Sequence, residues 1–185
     1  MTGPLALRVE TKPQWLETVL SNLDAVLLDH AHCEKKAAGT ALSLVSAYPH
    51  LPELVKRCTR LAQEELRHFQ QVYAIIRARG LTLHRDRGET YAKTLIKAAR
   101  NPDAERLLDR LLIAGIIEAR SHERLAILGA GLAGRDDELS SFYTALATAE
   151  AGHARLFVDL AERFCEGQDV AQRLETLLDI EAEIF

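Results

Sequence analysis

The sequence predicts an all-α protein: a four-helix bundle with a long crossover between its second and third helices and a peripheral helix at the C-terminus. Three observations predict it. Apolar residues recur at alternating spacings of three and four along four long segments. Only five prolines and ten glycines occur, and long stretches contain neither. The breaks between segments are uneven, two short and one long, which suits two helical hairpins joined by a crossover. At 185 residues, with 48% apolar and 27% charged residues, the chain fits one globular domain spanning 1–185.

Each element has its own local reason. Ser21, with Asp24 three residues on, reads as a capping box opening a first helix that runs to about Tyr48. "YPHLP" stops it, and Pro52 suits the first position of the second helix. That helix runs to Arg79, with Gly80 as its stop. The crossover from Gly80 to Asn101 contains "ETYAKTLIKAAR", a short helix. A third long helix begins near Pro102 and ends around the glycines of "LGAGLAG". The fourth starts at Asp136 or Asp137 and reaches about Phe164, ahead of Gly167. Gln168 to Phe185 forms the peripheral helix. No internal domain boundary is visible.

Composition excludes several classes. Cys33, Cys58 and Cys165 are far apart, odd in number and without a CxxC, which argues against a disulfide framework and a structural zinc site. The N-terminus lacks a secretory pattern, and the longest apolar run, "LLIAGII", is far short of a membrane span. A soluble, cytoplasmic protein with no membrane partner is expected. The net charge of −4 is unpromising for a nucleic-acid binder, yet it is unevenly spread. Between Arg77 and Arg106 eight basic residues face four acids, among them Arg77, Arg79, Arg85, Arg87, Lys93, Lys97 and Arg100. Alone, that excess reads as a solvated surface.

The acids within the apolar stripes carry the chemistry. The second helix has Leu54, Cys58, Leu61, Glu65, His68, Val72 and Ile75 on one face. The fourth has Leu139, Tyr143, Leu146, Glu150, His153, Phe157, Leu160 and Phe164. In both, a Glu-x-x-His pair interrupts the seam, and residues three apart point the same way. The first helix adds Glu34 among Leu27, Ala31, Ala38 and Ala41; the third adds Glu118 among Leu107, Leu111, Ala114 and Leu125. Counted from the turns, Glu34 and Glu65 stand at one height, roughly 20 Å along each hairpin arm. Glu118 and Glu150 match in the same way. Chance supplies about 0.6 Glu-x-x-His pairs at this composition, but not two on apolar stripes, each opposite an inward Glu.

Four carboxylates in a core would each cost several kcal/mol without compensation. Two divalent cations remove that cost. Glu34, Glu65, His68, Glu118, Glu150 and His153 thus form the di-iron or di-manganese pattern of ferritin-like bundles. In that pattern Glu34 and His68 serve one metal, Glu118 and His153 the other, and Glu65 and Glu150 bridge. His122 is second to these, Tyr143 is a core residue, and Glu64 and Cys33 face off the seam. His30, His32, His50 and His84 are read as surface or loop histidines.

Within the ferritin-like class, a rubrerythrin-like peroxidase would need CxxC iron modules and a haem-binding bacterioferritin an internal Met; neither is present. Iron oxidation and storage stays open, and predicts a large hollow oligomer. "LLDHAHCEKKAAGTA" (Leu27 to Ala41), with "QEELRHF" and "AEAGHARLF", resembles the tRNA hydroxylases that act on 2-methylthio-N6-isopentenyl-adenosine, over Ser21 to Phe164. The resemblance implies a monooxygenase with two Fe ions and O2 as co-substrate, fed electrons by a separate reductase. It would hydroxylate the isopentenyl group next to the anticodon. It implies a tRNA anticodon-loop partner for the basic segment and a monomer or small oligomer. A di-iron oxygenase with another substrate is the remaining alternative.

Overall fold

The structure of the protein is a computed structural model that describes residues 5–86, 88, 90–101 and 103–185, with 103 and 104 described by their backbone alone. Among the described residues there are seven helices and no strand: α1 (Pro13–Ser21), α2 (Leu23–Ala47), α3 (Pro52–Ala78), α4 (Thr90–Ile96), α5 (Asp103–Leu132), α6 (Asp137–Phe164) and α7 (Val170–Ile184). The all-α class is the one expected, and α2 to α7 follow the expected order; α1 is additional. Pro102, the expected start of the third long helix, lies outside the described residues. No described helix is long and apolar enough to cross a membrane. The chain forms two compact units, Glu17–Gly88 and Met1–Leu16 with Glu89–Phe185.

The unit Glu17–Gly88 is a hairpin of α2 and α3. Pro52 stands at the start of α3, where a helix does not need its missing N–H. The far end closes on Gly80 at φ +72°, with Gly80 N–H donating to the Arg77 carbonyl and Leu81 N–H to the Ile76 carbonyl, both at 3.0 Å. This pair of bonds satisfies two carbonyls that the helix end would otherwise leave open. The buried stripe of α3 ends on Ile76 rather than Ile75, because eleven residues, not ten, complete three turns.

The capping box expected at Ser21 and Asp24 does not form. Ser21 instead ends α1, its hydroxyl donating to the Glu17 carbonyl at 2.8 Å, and Asn22 occupies the cap position of α2 with its side chain turned back, Nδ2 donating to the Thr18 carbonyl at 2.8 Å and not capping α2. Nothing in the sequence pattern anticipates α1. It is short enough to need tertiary support, and Leu16 supplies some by lying against Gly131.

In the second unit α5 and α6 form the other hairpin. The stop falls within "LGAGLAG", as expected: α5 runs through Gly129 and Gly131 to Leu132, and the positive φ of +71° falls at Gly134. The two glycines have a packing role. A Cβ on Gly129 would lie 2.8 Å from Thr144 Oγ1 and 3.1 Å from Thr144 N, and one on Gly115 would lie 3.2 Å from the Ala154 carbonyl. Asp136 caps α6, accepting from Leu139 N–H at 3.0 Å, and Asp169 caps α7, accepting from Gln172 N–H at 2.8 Å.

α7 buries Leu174, Leu177, Leu178 and Glu181. Glu181 is fully buried and takes bonds from Arg120 Nε at 2.9 Å and Tyr91 Oη at 2.8 Å. Arg120, itself 2% exposed, also donates to Glu123 at 2.5 Å, and its guanidinium lies 3.6 Å over the Phe185 ring. Glu123 in turn accepts from the Thr11 N–H and hydroxyl.

A second buried acid, Asp109, holds Arg173 through two guanidinium bonds at 2.9 and 2.7 Å and Arg100 through bonds at 3.0 and 2.7 Å. Burial pushes its carboxyl up, but the bonds from Arg173 and Arg100 outweigh this and hold it well below the usual range. A depressed carboxyl stabilises the fold above its unfolded value, and that contribution is lost as pH falls through the folded one. Asp109→Asn is therefore expected to cost about 2–3 kcal/mol at neutral pH. The gap should narrow as pH drops below about 4. Melting temperatures of both proteins from pH 7 to 3 check this; a gap independent of pH would contradict it.

Candidate metal centre

The residues that interrupt the apolar stripes are all buried. In the first unit Glu34 lies on α2, and Glu65 and His68 on α3, with exposures of 3%, 0% and 8%. One donor atom from each lies within 4.8 Å of the other two. His68 Nδ1 is 3.5 Å from Glu34 Oε2 and 3.5 Å from Glu65 Oε2. The matching register of the two arms, counted from the Tyr48–Leu51 turn, brings them level. Burial pulls the His68 imidazole down, but the Glu34 and Glu65 carboxylates more than reverse this and raise it to about 9.

Sequence reasoning missed His30. Rather than a surface residue, it is a buried one whose Nε2 lies 2.5 Å from Glu34 Oε1. Burial pushes the Glu34 carboxyl up, and the bonds from His30 and His68 overcome this and hold it well below the ordinary range. The available signal was the spacing: His30 stands one turn before Glu34, on the same face. His32 is also buried rather than on the surface, with Lys35 Nζ 3.0 Å from its Nδ1. His50 and His84 are exposed, as expected.

In the second unit Glu118 lies on α5, and Glu150 and His153 on α6, with exposures of 6%, 2% and 5%. Again one donor atom from each falls within 4.8 Å of the others, and His153 Nδ1 is 3.5 Å from Glu150 Oε2. Gly115, one turn before Glu118, lies close against the backbone of Ala154, the residue after His153, so α5 and α6 pack tightly beside these donors. His122 donates from Nδ1 to the Ala147 carbonyl at 2.6 Å, which leaves its other nitrogen as an acceptor. Tyr143 is fully buried.

Each unit therefore presents two carboxylates and one imidazole at a common point. Donors about 2.1 Å from one ion stand up to about 4.2 Å apart, so either triad closes on a metal with small shifts. Oxygen and imidazole donors without thiolate suit iron or manganese. Cys33, Cys58 and Cys165 form no disulfide and lie outside both triads.

The basic segment sorts into three groups. Arg77, Arg85, Lys93 and Lys97 are exposed. Arg79 pairs with Asp24 at 3.3 Å, and Arg100 is tied to Asp109. Arg87 lies outside the described residues.

Comparison with known proteins agrees with this architecture. A family model described as tRNA-(MS[2]IO[6]A)-hydroxylase (MiaE) matches residues 4–185. The chain is 37% identical to the tRNA 2-(methylsulfanyl)-N(6)-isopentenyladenosine(37) hydroxylase of Pseudomonas putida, over 95% of this chain and 84% of that protein. It is 30% identical to the hydroxylase of the same name from Salmonella typhimurium, over 89% of this chain and 77% of that one. Among solved structures it is similar to a protein from Synechococcus described as having aldehyde deformylating oxygenase activity, at 39% identity and a TM-score of 0.90, over 96% of this chain and 88% of the other. The fold class is ferritin-like.

Proposed function

The chain belongs to the MiaE family of tRNA hydroxylases, and from that premise we propose that it is a di-iron, O2-dependent monooxygenase. Its substrate is the isopentenyl group of 2-methylthio-N6-isopentenyl-adenosine next to the tRNA anticodon. The observation that carries the reading is the pair of buried triads, each a Glu facing a Glu-x-x-His. Glu34, Glu65, His68, Glu118, Glu150 and His153 would hold the two irons. When bound, the two irons supply the activation of O2 that insertion into an unactivated C–H bond requires.

The chain's own residues do the rest. Their four carboxylates balance two divalent charges, and the surrounding apolar stripes keep water from the centre. His30 fixes the Glu34 carboxylate by occupying Oε1, which leaves Oε2 toward His68. His30→Ala is therefore expected to weaken iron binding by about 10–100-fold, read by Fe(II) titration under anaerobic conditions. His30→Gln, which keeps a donor, should recover most of it; equal affinity in all three proteins would remove His30 from this role.

Arg77, Arg85, Lys93 and Lys97 are the proposed phosphate contacts, since Arg79 and Arg100 are engaged within the protein. Electrons come from a separate reductase, the protein works as a monomer or small oligomer, and its place is the cytoplasm, where tRNA is its substrate. The test is mass spectrometry of nucleosides from isopentenylated tRNA after incubation with iron-loaded protein, O2 and an electron donor. One oxygen gained on the prenylated adenosine is the expected result. The similarity to the Synechococcus protein favours a second reading, oxygenation of an aldehyde at the same centre. Aldehyde consumed while tRNA stays unchanged would select it.

A further inference from the structure

α3 carries an apolar stripe that its own unit does not cover. Leu66 is 43% exposed and Tyr73 40% exposed, with half-buried Phe69 between them. The Phe69 and Tyr73 rings are stacked, their centroids 5.9 Å apart and their planes 14° from parallel. Four residues further on, the same line reaches Arg77, which is exposed. Apolar residues scattered singly over a surface need no explanation, but a contiguous row ending in a cation does.

The position of this row along the helix matters. Leu66 follows Glu65 and Phe69 follows His68, so the stripe begins at the height of the candidate ligands, about 100° round the helix from them. Tyr73 lies about 7.5 Å further along the axis than His68, and Arg77 about 6 Å beyond Tyr73. The row thus starts level with the proposed metal ligands, on the flank of the same helix, and runs to a basic end.

The charge on α3 narrows the partner. Outside the buried Glu65, the helix carries Lys56, Arg57, Arg60, Arg67 and Arg77 against Glu53 and Glu64, on a chain whose net charge is −4. Of these only Arg77 is in line with the stripe; Lys56, Arg60 and Arg67 flank it, about 100° or more round the helix, so a polyanion with unpaired bases that lies along this side of α3 meets both the aromatic row and a basic edge.

We propose that this stripe is the track on which the tRNA anticodon loop lies. An unpaired base stacks on the open face of Tyr73, the neighbouring phosphate meets Arg77, and Leu66 and Phe69 receive the prenylated adenosine at the height of the metal ligands. This rests on the tRNA reading above. Single-stranded loop bases are the part of an RNA that a protein reads by stacking.

The experiment measures fluorescence anisotropy of a labelled anticodon stem–loop RNA with iron-loaded protein across a range of salt, alongside the nucleoside assay. Tyr73→Ala is expected to weaken RNA binding about 10-fold and to raise the KM for tRNA similarly, while Tyr73→Phe retains binding. Arg77→Gln should reduce the slope of log affinity against log salt by about 0.7, one phosphate on a single strand. Circular dichroism establishes that the variants fold. Wild-type affinity and KM in folded Tyr73→Ala would overturn the track while leaving hydroxylation intact. A Tyr73→Ala change in oligomer mass on sedimentation, with RNA affinity unchanged, would overturn it in favour of a contact between copies. Wild-type protein that neither binds the stem–loop nor modifies tRNA would sink the tRNA reading itself.

Discussion

Glu150→Gln is expected to leave a folded protein that holds less than its full metal complement and hydroxylates tRNA more than about 100-fold more slowly, beyond what losing a group behind the ligands costs. Gln preserves volume but removes the charge, and a neutral amide bridges two cations poorly. In the metal-free chain the same change is expected to be harmless or mildly stabilising, because it relieves repulsion among buried acids. The contrast separates a ligand from a structural acid. A metal at a hundred times its dissociation constant stabilises the wild type by about 2.7 kcal/mol. For a chain of this size that raises the melting temperature by roughly 5–11 °C. Chelation should remove that increment from the wild type and leave Glu150→Gln nearly unmoved. Elemental analysis, calorimetry with and without chelator, and nucleoside mass spectrometry read the three parts. A Glu150→Gln protein with two irons and full turnover would take Glu150 out of the centre.

The largest loss of stability is expected at Glu181. Its carboxylate is fully buried and engaged by Arg120 and Tyr91, so Glu181→Ala strands a guanidinium that is only 2% exposed. Breaking a buried pair from one side typically costs about 3–5 kcal/mol, here on the order of 10 °C in melting temperature. Glu123 stays beside Arg120 and softens the loss without replacing it, since it also serves Thr11. The double change Arg120→Met with Glu181→Leu should recover most of the stability, because apolar groups of similar volume need no counter-charge. Calorimetry of the two single variants and the double one closes the cycle. A cost below about 1 kcal/mol for Glu181→Ala would mean that Arg120 keeps its solvation through Glu123 alone.

These two acids also show what a sequence can and cannot say. Glu181 interrupts the stripe of Leu174, Leu177 and Leu178 much as Glu65 interrupts that of α3, and Asp109 sits within "LLDRLL". The pattern marks an acid as inward-facing; it does not state which cation answers it. For Glu181 and Asp109 the answer is arginine, from Arg120 and from Arg173 with Arg100, partners that only the folded chain brings near. Glu34 and Glu65 instead gather with His68, and Glu118 and Glu150 with His153, donor atoms within 4.8 Å of one another, which is why a metal is proposed there. Helix class, order and most ends were legible, since periodicity and the stops at Pro52, Gly80 and Asp136 are local signals. The errors fell where tertiary contact overrides local signal. Ser21 reads as a cap and ends a helix; His30 reads as surface and is folded onto Glu34.

Both triads are closed within a single hairpin, their acids about thirty positions apart along the chain. Pairings of that kind form early and quickly, because little chain has to be immobilised to make them. The donors are then expected to be gathered by folding itself and not by the ion, the reverse of a zinc finger, whose chain is unfolded until metal arrives. A metal-free preparation that still melts in one cooperative calorimetric transition is the expected result, and an unfolded one would contradict it.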